Sequence, residues 1–277
     1  MSDKEFIIST AEAADTVHTL LDNNEQLTMN LFWLILESPD AMVWSDCRNF
    51  IIAQSNERTP VWAWTDTAAD TTAIDNAAEI LASRLCAHSP LHANLRTEHS
   101  AALLEAAGKY GLRAKKYMDM NAYVCREVIS PCCGGSISTP TDADRPAMAS
   151  LLVQLVNDGE HQTIPDEAAD GFAAAMVGSE RLFLWRDNGE VAAMAMIAHM
   201  SGTEHAARIN TVVTDRSKRG HGYAGALVAE ICRGLLDEGI FPMLYADAAN
   251  PSSNRAYQKI GFETVGHVSE FEIYKEC

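Results

Sequence analysis

The sequence predicts an α/β (α+β) chain of two similar halves, each a mixed sheet flanked by helices. Three observations carry that expectation. Short apolar runs alternate with stretches of helical spacing, a segment rich in Pro, Gly and small polar residues divides the chain, and the two halves end alike.

In the first half, MVW (42–44), FIIAQ (50–54) and VWAW (61–64) are apolar runs separated by polar turns, the pattern of a strand meander. Ala73, Ala77, Ile80, Leu81 and Leu85 then fall on one helical stripe, and HANL (92–95) reads as a short strand. Ala101, Leu104, Glu105 and Ala107 open a helix that stops at Gly108 or Gly111. The dividing segment is SPCCGGSISTPTDADRP (130–146), which places the domain boundary at 133 and gives halves 1–133 and 134–277.

In the second half, Met148, Leu151, Leu152, Leu155 and Val156 mark an amphipathic helix. The strands RLFLW (181–185) and VAAMAMIAH (191–199) are joined by Asp187-Asn188-Gly189, a hairpin signal. Strand ARINTVVT (207–214) follows, then a polar loop and a helix with Ala224, Leu227, Val228, Ile231, Cys232 and Leu235 on one face. Strand PMLYAD (242–247), a helix around 252–259, and the strands ETVG (263–266) and EFEIYK (270–275) complete the chain. Aligning Gly111-Leu112 with Gly261-Phe262 sets HSAALLEAAGKYGL beside NPSSNRAYQKIGF, and Tyr123 and Ile273 then share a terminal strand, which reads as an internal duplication.

The 277 residues carry 21 Lys and Arg against 38 Asp and Glu, a net charge of -17. The acidity is even, with 10 basic and 18 acidic groups up to residue 140 and 11 and 20 after it. Such a field repels nucleic acid and anionic membrane and favours cationic partners. The N-terminal MSDKEFIISTAEAAD lacks a basic region followed by an apolar core, and no apolar run reaches the roughly 18 residues that span a bilayer, so a cytoplasmic protein is expected. Seven irregularly spaced cysteines, with Cys132 and Cys133 adjacent, fit neither a disulfide framework nor a metal site. His88 and His92 have the spacing of helical metal ligands, but Pro90 between them disfavours the helix, and no metal is expected.

GHGYAG (220–225) matches the G-x-G-x-x-G dinucleotide fingerprint, yet five polar residues, Asp215 to Arg219, separate it from the strand, whereas that fingerprint needs its first Gly directly after the strand. Only thirty residues follow Asp247, too few to complete a dinucleotide-binding sheet, and no Gly-Lys-Ser/Thr closes a Walker loop. What remains is a strand, a basic loop, two close glycines and a helix N-terminus, an arrangement that holds a phosphate chain with backbone N–H groups. Gly220 and Gly222 permit close approach, Arg219 adds a charged donor, and Gly225 is assigned to helix packing.

The frame Arg219-x-x-Gly222-x-Ala224 resembles the R/Q-x-x-G-x-G/A loop of the GNAT superfamily of acetyl-CoA-dependent N-acyltransferases, over roughly residues 134–277. ANPSSNRAYQKIGF (249–262) is similar to the family's last block. The resemblance implies a splayed mixed sheet, two tandem copies with the N-terminal one degenerate, and acetyl-CoA as co-substrate. It implies that Arg219, Gly220, His221, Gly222, Tyr223 and Ala224 hold the pyrophosphate, chiefly through backbone at His221 and Tyr223, and that Val212, Val213 and Thr214 pair with the pantetheine. Asn250 and Asn254 would face the pantetheine arm, and Tyr257 beside the sulfur would be the general acid. Many family members carry a strand Glu where this chain has Arg208. Asp247, His199, Glu204, His205 or a water chain would then supply the base, with Asp247 preferred. The acceptor would be a small-molecule or peptide amine. Ala107 matches Tyr257 in the first half, which lacks the loop motif, and Trp33, Trp44, Trp62 and Trp64 would belong to core or to an acceptor pocket. A non-catalytic acyl-CoA sensor or partner-binding module stands as the alternative.

Overall fold

The structure, a computed structural model, describes residues 3–85, 90–129, 133–158, 163–200 and 205–275. Three helices for which the apolar-run reading drew no element open the chain: α1 (Thr10–Leu20), α2 (Asn23–Thr28) and α3 (Leu31–Leu36). Their starts are nonetheless written in side-chain caps, since Ser9 accepts from the Glu12 N–H and Asp22 forms a capping box with Glu25. The meander follows as β1 (Met42–Ser45), β2 (Phe50–Gln54) and β3 (Val61–Thr65). Next come α4 (Thr71–Arg84), β4 (Leu91–Arg96), α5 (Ser100–Gly108) and β5 (Leu112–Cys125). Helix α5 spans the expected segment, ends at Gly108, and buries Ser100, Leu103, Ala106 and Ala107, the last three in the core shared with α4.

The second half repeats the series. A short β6 (Ser136–Ser138) leads to α6 (Arg145–Asp158), α7 (Asp166–Met176), and the strands β7 (Leu182–Asp187), β8 (Glu190–His199) and β9 (Ala206–Thr214). Asn188 and Gly189 both have positive φ, 49° and 83°, the signature of a tight two-residue hairpin. Then come α8 (Tyr223–Asp237), β10 (Phe241–Asp247), α9 (Pro251–Ile260) and β11 (Phe262–Lys275). The two separate C-terminal strands expected from ETVG and EFEIYK are one strand of 14 residues, kinked by register shifts at Thr264/Gly266 and Glu270/Phe271. These irregularities break the alternation that sequence periodicity depends on.

Among the described residues eleven strands join one sheet in the order β1-β2-β3-β4-β11-β5-β10-β9-β8-β7-β6. Each half runs as an antiparallel meander, then a parallel pair, β3 with β4 and β9 with β10, each held by only three register pairs before the strands part. The last strands are exchanged. β5 of the first half pairs with β10, and β11 of the second half pairs with β4. β5 and β11 also pair with each other along their whole length, Leu112 opposite Lys275 and Cys125 opposite Phe262, so the two halves are related by a pseudo-two-fold. A left-handed Gly stands directly before each of these strands, Gly111 at φ 74° in the turn that follows α5 and Gly261 at φ 110° as the C-cap of α9.

The cores follow the exchange. Tyr123 and Cys125 pack with α8 and Phe262, while Phe271 and Ile273 pack with α4 and α5. Helices α6 and α7 cover the opposite face of the second half through Met148, Leu151, Ala173, Leu184 and Met194. Trp33, Trp44, Trp62 and Trp64 are all buried in the first half or at its seam with the second. Among the described residues no helix is long and apolar enough to cross a membrane.

Candidate active site

A cleft of about 820 Å³ runs from the loop after β9 to the outer face of α9. Its floor is the gap where β9 and β10 part. Their pairing ends at Arg208 opposite Met243, beyond which β10 bonds only to β5 and β9 only to β8. A bulge on β9 sets Thr211 and Val212 opposite the single Ala195, with Thr211 at a positive φ of 54°. The bulge takes these two residues out of the β8 ladder, so their backbone groups are free to serve a ligand on the splayed side. Val212, Val213 and Thr214 line the cleft there.

The far end is built for an anion. Gly222 caps α8 at φ 84° and ψ 8°, a conformation that costs a residue with a Cβ roughly 1–2 kcal/mol, and no side chain caps the helix. The first-turn N–H groups of α8 therefore meet the cleft, lined by Gly220, Gly222, Tyr223, Ala224 and Gly225. A Cβ at Gly225 would lie 4.0 Å from Ile260 Cδ1, an ordinary contact, so packing does not require glycine there. The pseudo-equivalent helix α4 differs in one decisive respect. Asp70 caps it by accepting from the Ala73 N–H at 2.9 Å, and that carboxylate occupies the place an anionic ligand would need.

The loop side chains are restrained. Tyr223 donates its hydroxyl to Asp187 Oδ2 at 2.7 Å, and exposed His221 stacks on Tyr223 and turns Nδ1 to the Lys218 and Arg219 carbonyls. Tyr223 lines the cleft, whereas His221, expected there from the sequence, does not. Arg219 donates to the Thr214 carbonyl and pairs with Asp158, which also holds Arg216. The two guanidinium groups, Arg219 foremost, hold the Asp158 carboxyl below its usual range. Asp158 was missed by sequence reasoning, although it leaves a trace. A carboxylate at the C-terminal end of a helix opposes the dipole and calls for cations nearby. An anion at this helix N-terminus would compete with Asp158 for Arg219, so Asp158→Asn is expected to tighten binding of a diphosphate-bearing probe about two- to fivefold at low salt and to lose that gain at high salt, read by calorimetry.

Helix α9 supplies the near wall. Asn250 caps it by accepting from the Ser253 N–H at 3.1 Å and lines the cleft. Asn254 is buried and fully engaged. Its Nδ2 donates to the carbonyls of Asp247 and Asn250, and its Oδ1 accepts from Tyr123 and Asn121, so it ties α9 to β5 and β10 and keeps no donor for a ligand. Tyr257 lies half-buried in the cleft, its ring against Phe262 at 5.8 Å and Tyr123 at 6.4 Å. Its hydroxyl has no hydrogen-bond partner among the described residues, and burial pushes its pKa up to about 12.

Asp247 ends β10 outside the cleft lining. Oδ1 accepts from the Ala249 N–H at 2.8 Å, forming the turn into α9. By alternation it shares the sheet face of Met243 and Tyr245, opposite the face covered by α8. His199 and His205 are exposed at strand ends. Glu204 and His88 lie outside the described residues, while His92 bonds Glu270 at 2.6 Å.

Residues 150–262 match the family model for the acetyltransferase (GNAT) family. The chain carries a GNAT domain. Solved structures agree in fold along nearly the whole length. A GNAT-family acetyltransferase from Colwellia psychrerythraea has 11% identity and TM-score 0.63, covering 94% of this chain and 97% of that one. A GCN5-related N-acetyltransferase from Kribbella flavida has 14% identity and TM-score 0.61 over 90% and 94%. A tandem GNAT protein from the clavulanic acid biosynthesis pathway has 12% identity and TM-score 0.56 over 96% and 94%. No curated protein matches. The GNAT domain's splay and uncapped helix belong to the second half, and the first half repeats the topology without the open helix N-terminus.

Proposed function

We propose that the protein transfers an acetyl group from acetyl-CoA to a primary amine, a small molecule or a peptide, by direct attack. The observation that carries this reading is one continuous cleft joining an uncapped helix N-terminus, a strand gap with free backbone and an unpartnered tyrosine hydroxyl. The pyrophosphate rests on the backbone of residues 219–224 with Arg219 as charged donor, and the pantetheine follows Val212 to Thr214 past Asn250. The amine nitrogen attacks the thioester carbon from the other face of the splay, and a Val212 or Val213 N–H stabilises the oxyanion. As the C–S bond breaks, Tyr257 gives its proton to the thiolate. The proton lost by the amine passes to Asp247, whose second oxygen is free of the turn. In this reading residues 1–133 form an accessory, degenerate copy and 134–277 the catalytic one.

The test is binding followed by turnover. Saturating acetyl-CoA, at about 100 times Kd, adds roughly 2.7 kcal/mol to the native state, a Tm rise of about 5 °C or more for a chain of this size, whereas NADH adds none. Gly222→Val is expected to abolish the rise. Absence of a shift with acetyl-CoA overturns the reading, and a shift without thiol release for any amine leaves an acyl-CoA sensor, which Arg208 in place of a strand carboxylate favours.

A further inference from the structure

Arg208 is an electrostatic anomaly. It extends from β9, where it pairs with Met243 of β10, and its guanidinium lies over the Tyr245 ring at 5.6 Å. Tyr245 is itself fixed, donating its hydroxyl to the Thr28 carbonyl of α2 at 2.6 Å and packing against Trp62 at 5.7 Å. The cation therefore sits on a platform formed at the seam between the halves. Its Nε is buried without a hydrogen-bond partner, while the residue as a whole keeps part of its surface open to solvent. Burial lowers its proton affinity, the sign of a charge that has lost water and gained too little in exchange.

In this chain, with 38 acidic against 21 basic side chains, a counterion is the easiest partner to find. Arg145, Arg186, Arg216 and Arg219 each pair with an aspartate. Arg208 pairs with none among the described residues. A half-buried cation left bare is costly, and a protein keeps one where a ligand supplies the missing charge.

Its position says which ligand. Arg208 faces the same side of the sheet as Tyr245 and Asp247, opposite the face carrying α8. Extending the β9–β10 register sets Tyr245 level with Asn210 and Asp247 level with Val212 of the bulge. The backbone separation from Arg208 to Val212 is about 13 Å at a strand rise of about 3.3 Å per residue. A guanidinium reaching over Tyr245 covers roughly half of it. The remaining gap is within the span of an amino-acid-sized molecule whose amine points at the bulge.

The geometry points to Arg208 as a docking residue for a carboxylate carried by the amine acceptor, so that the substrates are amino-acid-like rather than simple amines or polyamines. This rests on the acetyl-transfer reading above. A single guanidinium matches a single negative charge with two parallel hydrogen bonds, and a phosphate dianion would leave excess charge in a field already at -17.

The experiment uses the full chain with acetyl-CoA and matched acceptors with and without the anion: phenylalanine and phenethylamine, lysine and cadaverine, phosphoethanolamine and ethanolamine. Thiol release is expected to show KM lower by about tenfold or more for the carboxylate member of a pair, a difference that collapses in Arg208→Met and survives in part in Arg208→Lys. The melting temperature of Arg208→Met is expected to be no lower than wild type, since a bare buried cation is removed, whereas a purely structural arginine would lower it. Equal KM within pairs, a preference for the phosphate member, or a carboxylate preference that persists in Arg208→Met overturns the inference. If no amine releases thiol, the transfer reading fails separately. The same pairs are then compared by thermal shift with CoA, where a carboxylate-specific rise absent from Arg208→Met supports the docking role and no such rise overturns it.

Discussion

Tyr257→Phe lowers kcat by roughly 10²-fold with little change in KM for acetyl-CoA or in Tm. General acid catalysis contributes typically about 10²–10⁴-fold, and among the described residues the hydroxyl makes no hydrogen bond whose loss would cost stability. The ring contacts with Phe262 and Tyr123 are kept by Phe. The pH profile adds a second readout. Burial raises the Tyr257 pKa to about 12 against about 10 in the unfolded chain, so the folded state favours the protonated phenol. Its contribution to stability is complete below pH 10 and is lost between about 10 and 12. The rate therefore climbs with amine deprotonation from pH 7 and does not fall before pH 10. A Tyr257→Phe enzyme with wild-type kcat would remove Tyr257 from the acid role, and an alkaline limb near pH 9 would assign the proton to another group. Asp247→Asn, measured beside it, is expected to depress the rate at low pH more than at high pH, where the amine arrives already neutral.

Residues 134–277 expressed alone lose activity by at least about 10²-fold, and co-expression with residues 1–133 restores it in a 1:1 complex. The strand exchange is the reason. Without β5 the second half loses Tyr123 and Cys125 from the core beneath α8, and without β11 the first half loses Phe271 and Ile273 from beneath α4 and α5. Each large buried side chain removed costs about 2–5 kcal/mol, so two or three of them equal a typical domain stability of about 5–15 kcal/mol. The loss reaches the site directly, because Tyr123 both donates to Asn254 and borders Tyr257. Activity assays and size-exclusion chromatography on the separate and co-expressed halves check this. A fully active monomer of 134–277 would show that the second half completes its own sheet.

The elements were legible wherever the apolar pattern matches the burial. FIIAQ and VWAW, buried at every position, read as continuous apolar runs and coincide with β2 and β3, and the one-sided stripe of α8 reads at helical period. The loop glycines were legible because positive φ restricts residue choice. The single β11 was not, since two irregularities interrupt its alternation. Within the site, Arg219, Gly222 and Tyr257 could be placed by motif and all three line the cleft. Asn254 bears a motif position too, but its four hydrogen bonds are spent on holding α9, and no one-dimensional pattern records that.

By itself the sequence determined strands β1 to β3, helices α4, α6, α8 and α9, the repeated ending at an offset of 150 residues and the glycine loop ahead of α8, because each is encoded within one element and its neighbours. Only the tertiary structure decided that the halves trade their last strands, that Asp158 restrains Arg219, that Asp70 closes the first half's helix to anions and that Arg208 lies bare on Tyr245. These are pairings between residues far apart in the chain, or choices among several available partners. Local propensity cannot rank such choices; the packing of the whole sheet does.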